Sequence, residues 1–346
     1  PYCVLARLVY FNGRFVPQLS KTTDTARNME KKDWETNEEV QKCLRRLTDG
    51  FTDELAVPVP LEDPMDEGLP LSSYKNLSKP NHNMREPTSQ YAVNFQMGSA
   101  CFAALNTIKT GAVAYIHHPE NMDKGVKTPK PVLLINAISR DGGAMELAEG
   151  VSIHPRALVI ADENSRLSLV QAMVDLDGDA KYKPKLHNGY TQVFVKENAT
   201  ITHSYLEEVG GVAFGGTEIP KSKLPKGEPT PRKLESLRDE LKDTVLETVD
   251  AHVVGDRAHY NATMVSIGGS GFIRLVLHVS LLRPYSSTDI KAFLLASGLQ
   301  NSEMRQNIHH IADTATSRQL QKTLVGGRAK ATWRGRIRVE QNAQLT

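Results

Sequence analysis

At 346 residues, with 40% hydrophobic and 24% charged residues, the chain is long enough for one large or two ordinary globular domains. Its formal net charge of +2 supplies no overall field that would direct it to nucleic acid or to an anionic membrane surface, and no apolar run approaches the roughly 18 residues needed to cross a bilayer. The three cysteines, Cys3, Cys43 and Cys101, are far apart, which fits a reducing compartment better than a disulfide framework and is too few for a four-thiolate cluster site.

The chain opens Pro1-Tyr2-Cys3-Val4, without Met and without the pattern of a secretory signal, so the expectation is a processed protein or a fragment. Asn12-Gly13 between apolar runs predicts a hairpin within residues 1–20. Residues 1–130 as a whole read as a mixed, partly helical region. Within it, Trp34, Val40, Leu44 and Leu47 give Lys31–Leu47 the spacing of an amphipathic helix. Residues 58–90, rich in Pro, Ser and Asn, read as a long loop, and Tyr91–Ile108 as a second helix burying Phe95, Phe102 and Leu105.

From residue 131 the texture changes. Runs of strand length follow one another at Val132–Ile135, Ala157–Ile160, Leu167–Val170, Gln192–Val195, Thr200–Tyr205, Tyr260–Ile267, Phe272–Val279 and Arg336–Val339. Between them recur corners of Asn and a small residue: Asn164-Ser165, Asn198-Ala199 and Asn342-Ala343. Asn tolerates the left-handed backbone that a sharp corner needs. The pattern fits a sandwich, a barrel or a β-solenoid, and the corners do not fall on one period. Two interruptions are predicted: a helical excursion over 221–250, with Leu234, Leu237, Leu241, Val245 and Leu246 at helical spacing, and a helix within Pro284–Gln300 capped by Asp289.

Several stretches, in one shared order, resemble the SufB/SufD family of iron–sulfur cluster assembly proteins, and its SufD side in particular. They are Arg7-Leu-Val-Tyr-Phe-Asn-Gly-Arg-Phe-Val16, Ala104-Leu-Asn-Thr107 with Gly111-Ala-Val113, and Pro155-Arg-Ala-Leu-Val-Ile160 through Ser168-Leu-Val170. The strongest are Thr316-Ser-Arg-Gln-Leu-Gln-Lys322, Gly327 through Val339, and Asn342-Ala-Gln-Leu-Thr346. The resemblance implies a right-handed parallel β-helix core over 131–346 behind a helical N-terminal part. It also implies a C-terminal helical part that this sequence lacks, pairing with a SufB-like subunit, and binding of a SufC-like ABC ATPase. Two departures stand out: the family's Cys-x-His segment after the Ala-Gln-x-Thr corner is absent, and Ala315 stands where many relatives have Cys. The 221–250 stretch reads as a lineage-specific insertion of a plastid-bearing eukaryote. The implied location is the stroma in that case and the cytoplasm otherwise.

The candidate chemistry is sparse. The adjacent pairs His117-His118 and His309-His310 point to opposite faces of a strand and cannot readily share an ion. His203, His252, His259 and His278 could converge across rungs, either as structural histidines or as a transient contact for iron or a cluster; no tightly bound cofactor is expected. Gly268-Gly-Ser-Gly271 lacks the Lys-Ser/Thr of a phosphate-binding loop and reads as a corner, and Asp175, Asp177 and Asp179 lack the glutamate that would complete a calcium loop. Arg318, Lys322, Arg328, Lys330, Arg334, Arg336 and Arg338 form a basic run with Glu340 the only acid from Arg318 onward. Because Arg336 and Arg338 alternate with Ile337 and Val339, they read as one face of an edge strand rather than a nucleic-acid grip. Trp333, Arg336 and Arg338 are therefore the expected partner contacts. The expected function is a non-catalytic scaffold. The alternative, a polysaccharide-active β-solenoid enzyme, would need clustered acids on one outward-facing sheet.

Overall fold

The computed structural model describes residues 4–34, 36–38, 102–103, 105–120, 129–139, 151–176, 185–209, 244–268, 271–298, 300–341 and 343. In chain order the strands are β1 (Ala6–Phe11), β2 (Arg14–Phe15), β3 (Ala26–Glu30), β4 (Ala112–His118), β5 (Val132–Ile138), β6 (Val151–Ile153), β7 (Arg156–Ala161), β8 (Arg166–Asp175) and β9 (Lys185–Val195). They continue with β10 (Thr200–Val209), β11 (Thr244–Val253), β12 (His259–Gly268), β13 (Phe272–Leu281), β14 (Ser287–Ala296), β15 (Asn301–His310), β16 (Thr316–Val325) and β17 (Lys330–Val339). A one-turn helix α1 (Lys31–Trp34) follows β3.

The strands form two sheets. The first runs β16-β14-β12-β10-β8-β5-β1-β2 and the second β17-β15-β13-β11-β9-β7-β4-β3, with β6 beside β9. From β8 onward successive strands alternate between the sheets, and all pairings there are parallel. This is a two-sheeted parallel β-helix, as the family resemblance implies. Among the described strands only the hairpin β1–β2 and the pair β3–β4 are antiparallel. The hairpin turns on Asn12 and Gly13, both at positive φ, as its sequence predicts.

The corners explain how strands stay in register. Asn164, Asn198, Arg257, Tyr285 and Thr314 all have positive φ, and each lies two residues before a strand of the first sheet. Ser165, Ala199, Ala258, Ser286 and Ala315 follow, all small and all completely buried. Ala315 therefore occupies a structural corner. Rungs from β12 onward repeat every 28 or 29 residues, since His259, Ser287 and Thr316 stack in register, as do Phe272, Asn301 and Lys330. The period is hidden in the sequence because residues 210–243 lengthen one rung and only two of these five corner positions carry Asn.

Residues that alternate inward, among them Leu167, Leu169, Val193, Ile201, Val249, Tyr260, Leu275 and Ile290, form one continuous core between the sheets. At roughly 1.5–3 kcal/mol for each large apolar side chain, this core is the main source of stability. A second cluster covers the outer face of the second sheet near its start, where Trp34 of α1 packs with Met29, Val113, Tyr115, Leu158, Ile160 and Phe194. Residues 102–103 and 105–109 are helical, and Asn106 Nδ2 pins them by donating to the carbonyls of Pro155 (2.8 Å) and Asn188 (2.7 Å).

The helix predictions are corrected in three places. Residues 244–253 are β11, not the end of a helix: Val245, Glu247, Val249, Ala251 and Val253 point inward, while Leu246 and the residues between face out and are also buried. A strand buried on both faces has no visible alternation, so it imitates a helix. Pro284–Gln300 holds β14, whose buried residues Thr288, Ile290, Ala292, Leu294 and Ala296 have a period of two, with Phe293 and Leu295 on the outer face suggesting helical spacing. Finally, α1 ends at Trp34 and a turn follows at Thr36. Residue 35, residues 39–47, residues 58–100, residues 221–243, Asn342 and all three cysteines lie outside the described residues.

Candidate functional site

The last rung differs from all the others. β16 and β17 are the terminal strands of their sheets, so each leaves one line of backbone donors and acceptors without a neighbouring strand among the described residues. On β17, Trp333, Ile337 and Val339 point inward, stacked on Met304, Ile308 and His310. They stay 46%, 54% and 45% exposed because no described strand lies over them. The Trp333 ring folds over Gly335, where a Cβ would stand 2.4 Å from it, so this glycine is required for the ring's position. On β16 the inward side is polar: Gln319 Nε2 donates to Gln306 Oε1 (2.7 Å) and Gln306 Nε2 to Gln321 Oε1 (3.1 Å), a partial lid over the core. Leu320 and Leu324 of β16 face outward, 50% and 58% exposed.

Arg334, Arg336 and Arg338 project from the outer face of β17. Arg338 pairs with Glu340 at 2.8 Å, and the same carboxylate holds His309 at 2.5 Å. Arg334 reaches Glu303 only at 3.9 Å, because Arg274 and Arg305 already occupy that carboxylate at 2.7 and 2.6 Å. Arg336 has no ion pair among the described residues, and partial burial together with Arg338 pulls its guanidinium pKa below the usual value. The rung thus joins exposed apolar side chains to excess positive charge.

Further along the outer face of the second sheet, the acids are engaged. Asp250 accepts from Tyr190 Oη (3.1 Å) and pairs with His252 (3.2 Å), whose ring stacks on Phe194. The His252 contact holds the Asp250 carboxyl below its usual pKa against the effect of burial. Inside the solenoid lies a separate polar cluster. Glu247 contacts His187 Nε2 at 2.9 Å and accepts from Gln171 Nε2 at 3.1 Å; Thr191 Oγ1 donates to Gln171 Oε1 at 3.1 Å. Glu207 accepts from Ser266 Oγ at 2.7 Å. Gly189 makes room for this cluster, since a Cβ there would lie 1.9 Å from Glu247 Oε2.

The model of the SUF system FeS cluster assembly SufBD core domain matches residues 144–346, the rungs that contain both the terminal edge and the interior cluster. The chain belongs to the SufBD family. An iron–sulfur cluster assembly SufBD family protein of Synechocystis sp. is 19% identical over 345 residues, covering 99% of this chain and 57% of the relative. The chain therefore spans little more than half the length of that curated relative. Among the described residues no helix is long and apolar enough to cross a membrane.

Trp333, Arg336 and Arg338 all lie on β17, but on two faces: the indole turns toward the core and the guanidiniums away from it. Of the four histidines expected to converge, His252 and His278 do meet, beside Asp250 across β11 and β13, whereas His203 and His259 stay apart from them and from each other. His203 is interior and meets Tyr260 Oη at 2.9 Å, His259 contacts Ser287 Oγ at 2.6 Å, and His252 and His278 lie on the outer face of the second sheet. No group of three metal-ligating side chains forms among the described residues. His117 and His118 take opposite faces, as do His309 and His310. Gly271 lies at the corner before β13, and Asp175 forms a buried ion pair with Lys185. Sequence reasoning missed Leu320 and Leu324, and it missed Glu207 with Glu247. Reading Val245, Glu247, Val249, Ala251 and Val253 with a period of two would have exposed the buried acid.

Proposed function

We propose that the protein is a non-catalytic scaffold subunit of the SUF machinery, docking a SufB-like paralogue on the β16–β17 rung and acting with a SufC-like ATPase. The observation that carries this reading is the terminal rung itself, with Trp333, Ile337, Val339, Leu320 and Leu324 exposed beside an unpaired Arg336. Exposed large apolar side chains and an open sheet edge favour a macromolecular partner, and the arginines favour one whose surface is acidic. Clusters or iron would pass over the assembled complex as cargo, with no resident cofactor in this chain. The polysaccharide-active alternative loses its support, because Asp250 and Glu303, the acids on the outer faces of β11 and β15, are tied to Tyr190, His252 and arginines. The test is co-purification with the paralogue and the ATPase. A stable complex that loses the paralogue on Trp333→Asp supports the reading; retention of the paralogue by that variant contradicts it.

A further inference from the structure

The cluster inside the solenoid is used by no part of the proposed docking. Its members come from five strands: Gln171 on β8, His187 and Thr191 on β9, Tyr205 and Glu207 on β10, Glu247 on β11 and Ser266 on β12. All are essentially excluded from solvent. Two carboxyls and a phenol thus share a region in which, among the described residues, no lysine or arginine is in contact with either carboxyl and the His187 imidazole contacts Glu247. Glu207 Oε1 and Tyr205 Oη have no hydrogen-bond partner, although the second carboxyl oxygen of Glu207 is held by Ser266. An ionised Glu207 would leave a bare buried acceptor next to a second carboxylate, a combination that interiors avoid.

We propose that Glu207 carries an exchangeable proton inside the solenoid, so that the stacking of β8, β10 and β12 tightens when Glu207 is protonated and loosens when it ionises. Protonation removes the repulsion from Glu247 and turns an orphan acceptor into a donor. Tyr205, on the same strand, is held neutral by burial and by the two carboxyls. Met173 is the register neighbour of Glu207 on β8 and adds no charge, and Ser266 is its neighbour on β12. Burial, reinforced by Glu247 and partly opposed by the Ser266 hydrogen bond, raises the Glu207 carboxyl from 4.5 to about 7. A group that binds its proton more tightly when folded stabilises most below its ordinary value. That stability is lost as pH rises toward 7 and does not return above it.

The experiment follows the thermal unfolding midpoint of the full chain from about pH 5 to about pH 8.5. The wild-type midpoint should fall by about 5–10 °C over the neutral range. Glu207→Gln, a neutral isostere, should lose that component of the slope and exceed wild type at the alkaline end. Ser266→Ala, which removes the hydrogen bond favouring ionisation, should move the fall to higher pH. A Glu207→Gln profile parallel to wild type would overturn the inference. So would a midpoint raised by zinc or magnesium chloride through Glu207 with no pH slope, which would make the pair a cation site. If the variant does not fold, infrared spectra of wild type carrying isotope-labelled glutamate decide: a protonated buried carboxyl at neutral pH supports the inference, and its absence overturns it.

Discussion

β11 and β17 are both ten-residue strands of the second sheet, and both carry apolar side chains inward, yet their surroundings are opposite. β11 is flanked by β9 and β13 and is buried along nearly its whole length on both faces. Among the described residues β17 is flanked by β15 alone, and Trp333, Ile337 and Val339 stay about as exposed as surface residues although their inward positions repeat those of Met304, Ile308 and His310. In a stacked fold each rung is stabilised through its neighbours, so an inward side chain is covered in the middle of the stack and left exposed in the last described rung. The contrast also separates two kinds of polar content: β11 hides Glu247 within a hydrogen-bonded cluster, whereas β17 displays three arginines that share few acids.

The sharpest break of this comparison is to truncate equivalent inward positions. Leu275→Ala, in the middle of the stack, should destabilise the chain by about 2–5 kcal/mol in denaturant unfolding. Ile337→Ala should change it by only about 0.5 kcal/mol. Equal effects would mean that the terminal rung is already covered. Next comes acid sensitivity. His203 is buried against Tyr260, and burial lowers its pKa from 6.5 to about 4. The stability that comes from keeping it neutral is present above pH 6.5 and is lost as pH falls toward 4, a change of about 3 kcal/mol. His203→Phe, followed by denaturant unfolding across this range, should flatten the acid limb. A more modest loss is expected at a corner: Asn198→Ala replaces a residue type that tolerates positive φ by one that does not, and should cost about 1–2 kcal/mol.

Much of the fold was legible because the corners and the alternating strands carry local signals. Asn12-Gly13, Asn164 and Asn198 adopt the left-handed backbone that their residue types favour, and strands such as β8 and β13 show their alternation openly. Arg257, Tyr285 and Thr314 occupy equivalent corners but are residues that do not advertise positive φ, so the repeat stayed hidden. β11 imitates a helix because its outward face is also buried, which erases the period of two, and β14 because Phe293 and Leu295 place two apolar residues on an otherwise polar outward face. The strand at Arg336–Val339 was legible, since Arg336-Ile337-Arg338-Val339 alternates. The inward turn of Trp333 depended on register with Met304, a contact 29 residues away that no local pattern reports.

The central claim is that the β16–β17 rung is an interface and not merely an end. Titration calorimetry of the SufB-like paralogue against wild-type chain and the Arg336→Glu/Arg338→Glu variant, with folding checked by circular dichroism, tests it most directly. The account predicts unchanged folding and an affinity reduced by several kcal/mol, because the reversal sets negative charge against an acidic surface. Unchanged affinity with unchanged folding would contradict it.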